Sequence, residues 1–259
     1  QHQTKLNLKL TETKYGKFLI PVDDPTIGRS LDLYGEYCDV EIEILKSLCE
    51  STDWFIDIGA NIGYHTVAMS PHVTRVLAFE PDNDNFDILG KNVAGLCAEK
   101  QNVTTTKLAI GDITGECSTK FNFGKTTLIE GNDVKIAPLD VLGLPKVNLV
   151  KIDVEGKELA VLVGMRLTID NWKPHMLIEM QDEKTYANTY DFLNDLGYNM
   201  YWLAVPTFSS NNHKQNKQNI FGPQHGVINW VCSYLPLNTK LPSVISRDDT
   251  MEKMVERIK

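Results

Sequence analysis

The stretch Asp57-Ile58-Gly59-Ala60-Asn61-Ile62-Gly63 constrains the fold of this chain more than any other. It follows a short apolar run, Trp54 to Ile58, and leads into helical spacing from Ile62 to Met69 that stops near Pro71. Strand, glycine-bearing turn and helix in that order place the turn at the carboxyl end of a strand, where open α/β sheets bind ligands. Gly59 permits a sharp turn and the close approach of a ligand. Asn61 is one of the few residues besides glycine that tolerates left-handed backbone. Gly63 is expected to let the helix pack close to the strand. The pattern D-x-G-x-N-x-G differs from the dinucleotide fingerprint G-x-G-x-x-G. It sets a carboxylate two residues before the first glycine, which disfavours a pyrophosphate and suits a ligand carrying an ammonium and a sulfonium.

The rest of the chain repeats the strand–helix alternation. Val76 to Phe79, Val103 to Ile110, Val147 to Ile152 and Met176 to Met180 read as strands. Helices are expected at Asn83 to Val93, Gly156 to Met165 and Lys184 to Leu196, the last closed by Gly197. Two more strands follow, Asn199 to Val205 and Val227 to Ser233. This order predicts an α/β fold: a doubly wound, mainly parallel seven-stranded sheet with helices on both faces. Residues 1–50 are expected to form a β-hairpin (Lys5 to Leu10, Gly16 to Val22) and a helix (Asp39 to Leu48) ahead of the main domain at 51–237. Gly111 to Gly131 reads as irregular or as a hairpin. Ser209 to Asn219 carries too little apolar content to pack and is expected to be a mobile loop. Residues 238–259 suit a surface tail helix, with Ser246 and Asp249 as a capping box.

Composition closes off several functions. Over 259 residues the net charge is −8, which gives no general attraction to nucleic acid or anionic lipid. The five cysteines are scattered and none forms a C-x-x-C pair, so free thiols in a reducing, cytoplasmic setting are expected rather than zinc or a disulfide framework. No apolar run approaches the ~20 residues of a membrane span, and the polar, alternating Gln1 to Leu10 does not read as a secretory leader.

Around the glycine loop, other residues of matching chemistry recur at strand ends. Glu80, followed by Pro81, ends the second strand 21 positions after Gly59. That is where an acidic residue accepts both hydroxyls of a ribose. Asp112, after the third strand, is either an acceptor for an exocyclic amine or a simple turn aspartate. Asp153 and Glu155 leave the fourth strand beside the same crevice, as candidates for a general base or for positioning the substrate. Glu179 ends the fifth strand on that edge. Asp153 and Glu179 could converge on a divalent ion, but no clear metal triad appears and no metal is expected. His65 lies just past the loop and is a weaker base candidate, while His175 and His225 read as ordinary histidines. Tyr34, Tyr37, Trp202, Phe208 and Trp230 are core aromatics by default, or lining for a substrate pocket.

These residues resemble the FkbM family of S-adenosylmethionine-dependent methyltransferases. The carrying segments are FIDIGANIGYHT (55–66), AFEPDNDNFDIL (78–89), LAIGD (108–112), LVKIDVEGKELAVLVGM (149–165) and LIEM (177–180). The resemblance covers about Ser51 to Gly197 and is weaker around Pro21 to Tyr37. It implies a sheet whose final strand is reversed, S-adenosylmethionine as cofactor, and O-methylation of a small molecule or a sugar hydroxyl. By resemblance, Asp57, Gly59, Ala60, Asn61 and Gly63 hold the methionine part, Glu80 and Pro81 the ribose, and Asp112 the adenine side. Asp153 lies at the transfer site, with Glu155 and His65 behind it. The expected partner is a small-molecule or sugar acceptor, with neither nucleic acid nor membrane, and a homodimer is left open. Two rivals use the same fold: an NAD(P)-dependent oxidoreductase, and a catalytically inactive module that binds S-adenosylmethionine. A base-modifying nucleic-acid methylase is disfavoured by D-V-E-G after the fourth strand, where such enzymes carry N-P-P-Y-like elements.

Overall fold

The computed structural model describes residues 6–122, 125–223 and 225–258. Lys5 and Lys259, the expected ends of the first strand and the last helix, lie outside the described residues. The chain opens with an antiparallel hairpin of β1 (Leu8–Thr13) and β2 (Gly16–Pro21), in which Thr13 pairs with Gly16 across the turn. Helices α1 (Ile27–Tyr34) and α2 (Asp39–Leu48) follow. The sequence reading misses α1, a short helix that buries Ile27, Leu31 and Tyr34 at helical spacing.

From here the expected alternation runs through β3 (Trp54–Ile58), α3 (Tyr64–Met69), β4 (Arg75–Phe79), α4 (Asn83–Leu96) and β5 (Val103–Thr106). Next come β6 (Ala109–Ile110), β7 (Gly115–Asn122), β8 (Lys125–Ala137), β9 (Leu149–Ile152), α5 (Glu158–Gly164) and α6 (Arg166–Trp172). The chain ends with β10 (His175–Glu179), α7 (Glu183–Asp195), β11 (Asn199–Pro206), β12 (Gly226–Ser233) and α8 (Met251–Ile258).

The main sheet has seven strands in the order β11-β12-β10-β9-β3-β4-β5. The pairings from β10 to β5 are parallel, and β12 alone runs against both its neighbours. The final strand is therefore reversed, as the family resemblance implies. Alternate side chains divide between two apolar layers. Ile56, Val150, Ile178, Trp202 and Trp230 pack with α5, α6, α7 and α8. Phe55, Leu149, Leu177, Tyr201 and Val231 pack with the hairpin, α1, α2, α3 and α4. Each such side chain contributes about 1.5–3 kcal/mol when buried, so the strands read as near-continuous apolar runs that need helices on both faces.

Three local expectations are corrected, and the hairpin reading of the stretch from Gly111 is met. Val103 to Ile110 is not one strand. It breaks at Lys107–Leu108, and Ala109–Ile110 pairs with β8 in a separate three-stranded sheet. The stretch after it is a long hairpin, whose register shift between Cys117 and Ser118 hides the alternation in the sequence. The polar segment 209–219 is tied down rather than loose. Asn212 is fully buried, donates to Ser209 O and Asn216 O at 2.7 and 2.6 Å, and accepts from Asn216 N at 3.0 Å. Lys214 Nζ reaches Thr11 Oγ1 and the carbonyls of Leu31 and Asp32. Hydrogen bonds to β1 and to the C-terminal turn of α1 take the place of the missing apolar content. Ser246 and Asp249 do not cap the tail helix, because Asp249 turns inward to Trp202 Nε1 at 3.1 Å and Thr250 Oγ1 accepts from Lys253 N. Among the described residues no helix is long and apolar enough to cross a membrane.

Candidate active site at the carboxyl edge of the sheet

The loop leaving β3 is built from three left-handed residues: Gly59 (φ +82°), Asn61 (φ +50°) and Gly63 (φ +92°). A Cβ at Gly59 would lie 1.8 Å from the Asp153 carbonyl oxygen, so this glycine is required by the neighbouring strand as well as by the turn. A Cβ at Gly63 would lie 2.7 Å from Leu89 Cδ1. The packing that Gly63 permits is thus against α4, not against the strand. Asn61 holds its conformation with its own side chain, Oδ1 accepting from Ile62 N at 2.8 Å.

Two cavities meet at this loop. The narrower, ≈60 Å³, is walled by Phe79, Glu80, Pro81, Ile110, Leu128 and Val154. The larger, ≈290 Å³, is walled by Tyr37, Glu41, His65, Lys151, Glu179 and His225 among others. Gly59, Asn61, Asp153 and Glu155 line both and form the boundary between them, and Ala60 faces the larger.

Glu80 is buried at the end of β4. Its Oε2 accepts from Asn61 N at 2.8 Å and its Oε1 from Asp82 N at 2.9 Å. Burial outweighs these two N–H groups and pushes its carboxyl up to about 7. Glu155 and Gly156 are successive left-handed residues, φ +53° and +88°, that turn the chain off β9 along the cavity wall. The Glu158 carboxylate steadies the turn by accepting from Gly156 N at 2.8 Å.

The structure brings Gly59, Ala60, Asn61, Glu80, Pro81, Asp153, Glu155 and His65 to the cavity walls. It does not bring Asp57 there. That carboxylate is fully buried behind the loop, accepting from Thr66 Oγ1 at 2.6 Å with its other oxygen 3.6 Å from Lys151 Nζ. Its negative charge is answered by the next strand, so it supports the loop from beneath. Asp112 is also elsewhere: it is exposed and lines a different cavity, beside Glu116 and Ile129 on the β7–β8 hairpin. The break between β5 and β6 carries it away from the crevice.

Lys151, Glu41 and Gln181 line the larger cavity and are missed by the sequence reading, as is Asn229, which holds Glu41 from behind. Lys151 Nζ lies 3.3 Å from Asp153 Oδ2, 3.6 Å from Asp57 Oδ1 and 3.4 Å from Gly59 O. Burial alone would lower its pKa, but Asp153 and Asp57 overcome that and hold it above the usual lysine value. A signal was present, since a lysine inside the apolar strand Leu149–Ile152 must find buried carboxylates. Glu41 comes from α2, outside the expected domain. Its Oε2 lies 2.8 Å from His65 Nε2, off-line for a hydrogen bond, and its Oε1 accepts from Asn229 Nδ2 at 2.8 Å. Glu179 accepts from Gln181 Nε2 at 2.7 Å. Its carboxyl is raised well above the usual range by burial, then by Asp153 and Glu41.

A seven-stranded sheet with one reversed strand, and a two-chambered crevice over the β3 and β9 ends, define the class I methyltransferase architecture. Residues 57–200 match the methyltransferase FkbM domain, and the chain belongs to that family. It is 38% identical over 151 residues to a hexuronic acid methyltransferase, AglP, of Haloferax volcanii. The matched region is 54% of this chain and 60% of that relative's length. Among solved structures, Trm5b from Pyrococcus abyssi superposes with a TM-score of 0.51 at 10% identity, over 88% of this chain and 56% of its own. A methyltransferase FkbM from Methylobacillus flagellatus gives 0.48 at 18% identity, over 70% and 44%.

Proposed function

We propose that the chain binds S-adenosylmethionine across the two chambers and transfers its methyl group to a hydroxyl of a small molecule or sugar. The observation that carries this reading is Glu80. It is a buried carboxylate on the wall of the narrow chamber, fixed by one N–H on each oxygen, with lone pairs left for a ribose diol. Ile110, Leu128 and Phe79 offer apolar walls to a purine, and the Gly59–Asn61 turn with Asp153 suits a cationic methionine end. The residues present therefore fit the donor.

When bound, S-adenosylmethionine supplies a methyl group already activated by a sulfonium. The chain must then orient a nucleophile, exclude water and take one proton. Asp153, at the boundary of the chambers, is the first candidate to receive that proton. Lys151, 3.3 Å away, sets its orientation. Glu155 follows on the same turn. His65 faces the larger chamber with Glu41 Oε2 2.8 Å from its Nε2, and Glu41 is itself held by Asn229.

Thermal unfolding with S-adenosylmethionine, S-adenosylhomocysteine or NAD tests the reading. At 100 times the dissociation constant, an adenosyl ligand stabilises the fold by about 2.7 kcal/mol. A shift with NAD and none with either adenosyl ligand contradicts it.

A further inference from the structure

The strand order sets what lies where along the crevice. Glu80 follows β4, Gly59 and Asn61 leave β3, Asp153 leaves β9, Glu179 ends β10, and His225 stands one residue before β12. Because β12 runs against β10, its first residues reach the carboxyl edge. Neighbouring strands are about 4.8 Å apart. A donor with its ribose at Glu80 and its methionine end at Gly59 and Asp153 spans β4 to β9. The part of the larger chamber over β10 and β12, reaching about 10 Å beyond Asp153, is left for the acceptor.

His225 reads as an ordinary histidine from the sequence. In the structure it is exposed and lines this end of the chamber, yet its ring is held on two sides. Phe221 stacks on one face, with centroids 5.0 Å apart and the rings 26° from parallel. Thr207 Oγ1 lies 2.8 Å from Nδ1. Both supports are themselves anchored. Thr207 is buried, and its N–H donates to the His225 carbonyl at 3.1 Å, closing the base of the 207–225 connection. Phe221 packs against Tyr34 of α1, whose hydroxyl donates to Gln218 O at 2.9 Å and accepts from Ile220 N at 3.1 Å. Holding a side chain still costs rotamer entropy, and an exposed ring regains little of it by burial. The support therefore points to a use for the ring's orientation.

A fixed aromatic face beside a carboxyl matches a pyranose. Such a ring presents C–H bonds on its faces and hydroxyls around its rim. The C–H hydrogens are slightly positive and the aromatic face is negative. Glu179, on the neighbouring strand end, offers a carboxyl to the rim.

We propose that the face of His225 turned away from Phe221 is the platform on which a pyranose acceptor stacks. This rests on the methyl-transfer reading, with the donor lying over β4 to β9. His225 is outside the family-matched segment 57–200, so membership of the family does not imply the platform.

The test uses the full chain. S-adenosylhomocysteine binding is measured first by calorimetry, and its absence overturns the methyl-transfer reading and this proposal with it. The chain saturated with that ligand is then titrated, by nuclear magnetic resonance, with the methyl glycosides of glucose, galactose and mannose and with their uronates. Catechol is titrated alongside as a flat aromatic probe. The expected result is binding of at least one glycoside. His225→Ala weakens that binding about tenfold, whereas His225→Phe, which keeps a flat face, stays within about threefold of wild type. Thr207→Val, which frees the ring edge, weakens it several-fold. The S-adenosylhomocysteine affinity of each variant checks its fold. Unchanged glycoside affinity in His225→Ala, an equal loss in the alanine and phenylalanine variants, or binding by no glycoside overturns the platform and leaves the donor site intact. Unchanged affinity in Thr207→Val overturns the clamp. Catechol bound more tightly than every glycoside overturns the pyranose assignment.

Discussion

The carbonyl oxygen of Asp153 occupies the space that a side chain on Gly59 would need, 1.8 Å from the ideal Cβ position. The glycine loop and the exit of β9 are thus fitted to each other before any ligand enters. Gly59→Ala adds a methyl group both at positive φ and against backbone that cannot step aside. We expect a loss of about 3 kcal/mol or more in urea unfolding, from a left-handed alanine plus displacement of the β9 exit. A loss under about 1 kcal/mol would mean that the two turns are not locked together.

Lys151 and Asp57 form a buried pair, with side chains 6% and 0% exposed. Lys151→Met strands Asp57 without its cation and is expected to cost about 3–5 kcal/mol. Adding Asp57→Asn should recover much of that loss, because the orphaned charge goes with it. A double-mutant cycle by chemical denaturation reads the coupling, and additive losses would rule it out.

Glu80 gives the protein a pH signature. Its carboxyl titrates at about 7 in the folded state and near 4.5 when unfolded. The folded state therefore keeps a proton that the unfolded state has already lost. The proton's stabilising contribution is complete below about pH 4.5 and fades as pH rises through 7. Glu80→Gln should flatten that slope between pH 5 and 7, within about 3 kcal/mol. A ribose diol donating to Glu80 favours the ionised form. Binding near pH 6.5 should therefore release a proton, measurable as a dependence of calorimetric heat on buffer ionisation. Identical slopes for wild type and variant would remove Glu80 from the account.

Asn212 anchors a segment with almost no apolar side chains of its own. Asn212→Ala removes its three side-chain hydrogen bonds and should cost about 1–3 kcal/mol. The first proteolytic cuts should then fall within 209–219. If the cleavage pattern stays that of wild type, Asn212 is not the anchor.

The sequence made most of the sheet legible because β3, β4, β9 and β10 are each a short, largely apolar run that leads into a turn. Glu80 and Asp153 could be placed at the crevice from spacing alone, since strand ends in a parallel sheet share one edge. Asp57 could not. Its partner Lys151 lies on an adjacent strand, and nothing in the D-x-G-x-N-x-G pattern tells a carboxylate facing a ligand from one facing a buried lysine. Asp112 was misplaced for a similar reason, because the break at Lys107–Leu108 sends the chain into a second sheet by tertiary pairing. Glu41 and Asn229 are joined across 188 positions, a separation no local pattern encodes. The segment 209–219 reads as loose because it lacks apolar side chains, whereas amides and a lysine do the anchoring.

The donor site is tested most directly by isothermal titration of S-adenosylhomocysteine into the full chain and into Glu80→Ala. The account predicts one site per chain in wild type, and an affinity loss of about 10- to 100-fold when the ribose-side carboxylate is removed. No binding in wild type, or the same affinity in both proteins, would contradict it.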